Sequence, residues 1–172
     1  MPGNLQLIET KTISAATSAI DFDNVFSNKY DVYKITTANI STVGSTNTDV
    51  DMRLLDSTGT VIDQSEYQYA EQILRTNSAY GTRNETSATS LSQFFGGTDN
   101  HPESMGAVCY VFNPFDSSSY TFFFSQYSYA VASVKRGFKS IGLHASTESC
   151  RGFRIFTSQN VDEGVISVYG VK

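Results

Sequence analysis

The sequence predicts an all-β fold: an antiparallel β-sandwich, jelly-roll-like, with at most one short helix. Three observations point there. Tyr, Phe, Val, Ile and Thr dominate the ordered-looking stretches. Polar turn signals interrupt them at short intervals, the spacing of short antiparallel strands. Several stretches carry apolar side chains on both faces: Ile166 and Val168 point one way, Val165, Tyr169 and Val171 the other, and Phe122, Phe123 and Phe124 do the same. A strand apolar on both sides needs a second cover beyond its own core.

In chain order the expected strands are Leu5–Thr10, Ser18–Phe22, Tyr30–Ala38, Asp49–Leu55, Ala107–Phe112, Tyr120–Tyr127, Tyr129–Val134, Ser140–Ala145, Phe153–Ser158 and Val165–Val171. Asp56–Gly59 (DSTG) fits a type I turn that closes on a left-handed glycine. Arg136–Gly137 and Asn160–Gly164 read as hairpin connections, and Asn113-Pro114 ends the strand before it. Ser65–Arg75 (SEYQYAEQILR) leans toward a short helix over an alternating strand. It places Tyr67, Ala70, Ile73 and Leu74 at helical spacing behind a Ser65/Gln68 capping box. The pattern weakens from Arg75 to Ser104, where either a strand hides near Leu91–Phe95 or an extended arm orders against a neighbour.

The chain of 172 residues, 40 % hydrophobic, suits a single domain over residues 1–172, with an N-terminal arm at 1–16 and an irregular insertion at 76–104. A net charge of −5 argues against nucleic acid. The longest apolar run, Ala107–Phe112, is too short to span a bilayer as a helix, and MPGNLQLIET does not read as a secretion signal. Lys135, Arg136 and Lys139 read as an exposed basic turn. Cys109 and Cys150 sit in no metal spacing; Cys109 reads as a small buried thiol, and a disulfide between the two is left open.

No catalytic set stands out, so the expectation is a non-enzyme with no cofactor and no metal. The chain has two histidines: His101 reads as a surface residue of a polar loop, and His144 ends a strand as a partly buried hydrogen-bonder. GxSxG, HExxH and phosphate-loop motifs are absent. Asp21/Asp23 and Asp49/Asp51 each project to one face of a strand, where paired carboxylates suit Ca²⁺; without a calcium-loop spacing, a solvated edge or turn cap is the better reading. Tyr67, Tyr69, Tyr80, Tyr127 and Tyr129 fall near strand ends and loops, where tyrosine serves packing, subunit contact or stacking on sugars. The residues expected to touch partners are Tyr80, Phe94, Phe95, Tyr127, Tyr129 and Tyr169.

Two stretches carry a resemblance. LQLIETKTISAATSAIDFDNVFSNKYDVYKITTANIST resembles the opening of a β-domain that recurs in virion structural proteins of tailed bacteriophages, marine ones especially. The closing GFRIFTSQNVDEGVISVYGVK is similar to that group's end. The resemblance implies a jelly-roll-like block built into a phage particle, as a capsid decoration (cement) protein or a tail or fibre component. It implies assembly in the host cytoplasm, a homotrimer, and docking on major capsid or tail proteins through the arm 1–16 and the insertion 76–104. A carbohydrate-binding sandwich of a tail fibre, recognising host glycans through loop tyrosines, is the alternative.

Overall fold

The structure, a computed structural model, describes residues 4–44, 48–77, 80–98, 105–131 and 134–172. His101 lies outside them. Eleven strands form an antiparallel, curled sheet, and among the described residues there is no helix. The strands are β1 (Leu5–Ile13), β2 (Thr17–Phe22), β3 (Val32–Thr42), β4 (Thr48–Asp56), β5 (Tyr67–Arg75), β6 (Gly81–Ala88), β7 (Gly97–Thr98), β8 (Met105–Phe112), β9 (Thr121–Val131), β10 (Val134–His144) and β11 (Cys150–Val171). Their order across the sheet is β6-β5-β10-β9-β8-β3-β11-β4-β7, with β1 and β2 on the other edge of β11.

The last strand organises the rest. β11 runs for 22 residues, about 70 Å if straight. Its second half pairs with β1 on one edge and β3 on the other; its first half pairs with β2 and β4. β1–β2 and β3–β4 are therefore two interrupted runs that flank one continuous strand. The expected hairpin at Asn160–Gly164 is not a turn. The polar run is a bulged passage within β11, where the register against β3 shifts twice between Val161 and Val165. Here the strand leaves one pair of partners for the next, and Gly164, at φ 150°, lets Ile40 close on its backbone. Arg136–Gly137 likewise lies inside β10, and Tyr120–Val134 is one strand for most of its length.

The Ser65–Arg75 segment is strand β5, not a helix. Nine residues, Tyr67–Arg75, pair with β10 from His144 to Arg136. The alternation was masked because inward Glu71 is charged while outward Ala70 and Leu74 are apolar. Inward Tyr67 and Ile73 are buried as a strand requires.

The 76–104 segment also differs from expectation where it is described. β6 forms an edge strand on β5. Ser90–Thr98 then enters the hollow of the curled sheet along the free edge of β4. Leu91 and Met52 exchange both backbone hydrogen bonds, and Val50 does so with Phe95 and Gly96. Leu91, Phe94 and Phe95 are fully buried, each contributing about 1.5–3 kcal/mol. The segment packs so close to β10 that a Cβ on Gly142 would lie 2.9 Å from Leu91 and 3.1 Å from Phe94. Farther along, Phe22 stacks on Phe153 at 4.9 Å, with Phe26 and Tyr33 beside them. The N-terminal segment is likewise bound: β1 is an edge strand hydrogen-bonded along β11.

The turn at Asp56–Gly59 forms as read: Asp56 Oδ1 accepts from the Thr58 and Thr60 amides, and Gly59 has φ 89°. Cys109 and Cys150 are buried free thiols. Two outcomes follow from the central position of β11. Deleting Val165–Lys172 strips pairing from β1 and β3 together, so no cooperative thermal transition is expected by circular dichroism; a soluble, cooperatively melting truncation would contradict this. Gly152→Ala places a Cβ 2.0 Å from the Phe22 carbonyl oxygen and is expected to cost about 2–3 kcal/mol in denaturant unfolding.

Candidate functional site

Inside and outside of the sheet differ in how far they are finished. On the inner side, the polar groups around Glu71 and Gln93 are paired. Glu71, its side chain fully buried, accepts from Arg83 Nε at 2.9 Å, the Tyr127 hydroxyl at 3.0 Å and the Ser140 hydroxyl at 3.1 Å. Burial pushes its carboxyl up, and the Arg83 guanidinium opposes that shift. Arg83 also donates to the Ser92 carbonyl at 2.6 Å. Gln93 donates its amide N–H to Asp51 at 2.7 Å, and its side chain to Asp49 at 2.8 Å and to the Tyr129 hydroxyl at 2.9 Å.

These contacts latch the Ser90–Thr98 segment to the sheet. Burial pushes Asp51 up to about 6, with the neighbouring Asp49 carboxylate adding to the shift. The Asp49/Asp51 pair is therefore a clamp on Gln93, with no calcium-loop arrangement around it. The other pair is spent on arginines of β11: Asp21 holds Arg154 at 2.6 and 2.7 Å, and Asp23 holds Arg151 at 2.6 and 2.5 Å.

Four of the six residues expected to meet partners belong to this interior. Phe94 and Phe95 are fully buried, Tyr127 is 4 % exposed and Tyr129 is 5 % exposed. Tyr127 stacks on Phe138 at 4.4 Å, and Tyr129 lies 5.5 Å from the same ring. Their apolar faces are satisfied within the chain. Tyr80, at 77 % exposure, stands on the surface before β6, and Tyr169 is half-buried on the outer face.

The outer face is the unfinished side. Register aligns Leu143, Phe122, Phe112, Val32, Val171 and Leu5 in one row across β10, β9, β8, β3, β11 and β1. The adjacent row holds Ala70, Ile141, Phe124 and Tyr110, then Lys34, Tyr169 and Leu7. Ile141 is 60 % exposed, Leu7 55 %, Phe122 47 % and Leu5 46 %. At strand and pleat spacing the two rows cover about 450 Å², within the range of the largest, often functional, patch of a monomer. Lys34, Lys139 and, beside Ala70, Ile141 and Phe122, Glu85 are charges on this part of the face, and Lys139 Nζ sits 5.6 Å from the Phe124 ring centroid. The two-sided apolar pattern of Phe122–Phe124 and of Val165–Val171 signalled this face in the sequence. Ile141 and Leu7 sat among polar neighbours and gave no such signal.

At one end of the sheet the structure also gathers Glu66, His144 and Glu148. Among the described residues this is a His/Glu group whose ligand atoms lie close enough to hold a cation, all within 4.8 Å of one another. His144 is fully buried, deeper than expected. No family model, no curated protein and no solved structure matches this chain.

The Asp51 environment sets a pH dependence. A carboxyl pushed up to about 6 binds its proton more tightly in the folded chain than in the unfolded one, so stability falls as pH rises from about 4 to about 6. Asp51→Asn keeps an acceptor for the Gln93 amide without the charge. It is expected to stabilise by about 1–2 kcal/mol at pH 8 and to match the parent near pH 4 in paired denaturant titrations. Equal destabilisation at both pH values would contradict the assignment.

Proposed function

We propose that this chain is a non-enzymatic structural protein of a phage particle, a capsid decoration (cement) or tail-associated block that assembles as a homotrimer on other virion proteins. One observation carries the reading: two apolar rows lie uncovered on a fully hydrogen-bonded sheet face. The inner side, where clefts and charged groups would serve catalysis, is closed on its own side chains. The resemblance of both ends of the sequence to virion β-domains adds to it, and the finer reading as a jelly-roll-like sandwich rests on that resemblance.

The occupant of the face is a second copy of this chain. An apolar band of about 450 Å² is about half of what one partner contributes to a standard interface, leaving the remainder to a polar rim. A glycan-binding reading retains Tyr80 and the half-buried Tyr69 of the tyrosines proposed for it, because Tyr67, Tyr127 and Tyr129 are buried.

Sedimentation velocity of the purified chain is expected to give a trimer, and Ile141→Asp or Phe122→Asp a monomer, with melting unchanged because both side chains are exposed. A wild-type monomer at high concentration would contradict the assembly reading. Mass spectrometry of purified virions is expected to find the chain in many copies; its absence would remove the particle role.

A further inference from the structure

The outer face leaves one cluster unexplained, at the end of the sheet where β5 begins and β10 ends. Glu66 precedes β5, and its carbonyl accepts from the Ala145 amide at 2.8 Å. His144 closes β10 opposite Tyr67, whose ring lies 5.0 Å from the imidazole. Glu148 follows in the connection to β11, two residues before Cys150. His144 Nε2 lies 3.3 Å from Glu66 Oε2 and 3.7 Å from Glu148 Oε1.

Hydrogen bonding alone leaves this group poorly satisfied. A neutral His144 has one Nε2 proton for two carboxylates, and Nδ1 has no partner although the residue is fully buried. A ligand that takes the Nε2 lone pair would engage the ring and both carboxylates at once.

We propose that Glu66, His144 and Glu148 bind one divalent transition cation of the Zn²⁺ class. Tetrahedral ligands bonded at about 2.0–2.2 Å stand about 3.3–3.6 Å apart, and the two separations from Nε2 are 3.3 and 3.7 Å. One imidazole nitrogen with two carboxylates is a donor set for zinc and its neighbours, whereas Ca²⁺ and Mg²⁺ take oxygen ligands. The carboxylates are partly open, at 39 % and 34 % exposure, so water completes the coordination from the solvent side. With Nε2 on the metal, the ring carries its proton on Nδ1. The cation would tie the start of β5, the end of β10 and the approach to β11 into one corner. Its role is structural.

The test uses the full chain, stripped with a chelator and titrated with Zn²⁺ by calorimetry and thermal melting. One Zn²⁺ per chain and a higher Tm are expected, with no comparable response to Ca²⁺ or Mg²⁺. Glu66→Gln and Glu148→Gln act on part-exposed side chains, so the metal-free protein still folds; each is expected to weaken Zn²⁺ binding at least about tenfold. Cys150→Ser is expected to bind as the parent does. Absence of stoichiometric binding, binding unchanged in both glutamine variants, or binding lost in Cys150→Ser would each overturn the proposal.

Discussion

Backbone hydrogen bonding along both edges of β11 is the constraint on which the rest of the structure depends. Most strands meet one partner per edge. This one meets two, β1 then β2 on one side and β3 then β4 on the other. The strand must also bend, and the bulge around Asp162–Gly164 supplies the irregularity without breaking the chain direction.

That single element accounts for the contrast between the two faces. Its inward residues, Phe153, Ile155, Ile166 and Val168, lie in the core with the Leu91–Phe95 segment and the aromatic cluster of β9 and β10. The polar groups drawn in with that segment are expensive to bury unless paired, and Glu71, Asp49 and Asp51 are paired by Arg83, Gln93 and Tyr127. Its outward residues Tyr169 and Val171 continue a plane of apolar side chains that nothing among the described residues covers. A monomer has no internal use for that plane. Assembly does, which is why the proposed role follows from the outside of the sheet and not from any cleft.

Much of this was legible from residues alone, for reasons that differ by element. Strands β3 and β4 announced themselves through apolar alternation, β8 through an unbroken apolar run, and the Asp56–Gly59 turn through its side-chain chemistry. The two-sided apolar character of Val165–Val171 marked the terminal strand as central. What failed has a common cause: local polarity was taken for a chain reversal or a surface. Asn160–Gly164 is polar because it bulges outward, not because the chain turns there. Glu71 hid the alternation of β5 because its charge is balanced by Arg83, a partner 12 residues away. Phe94 and Phe95, set in a polar segment, looked available to neighbours, although the hollow of the sheet needed filling from within. Glu66, His144 and Glu148 could not be grouped, since only the pairing of β5 with β10 brings the first to the other two.

Native-state hydrogen exchange tests the central claim most directly, because it reads backbone protection residue by residue. If β11 holds the fold together, the amides of Ile155, Phe156, Ile166 and Val168 exchange last, at the rate set by global unfolding. Exchange of those amides ahead of the amides of β8 and β9 would mean that the sheet survives without its terminal strand, and the account would fail.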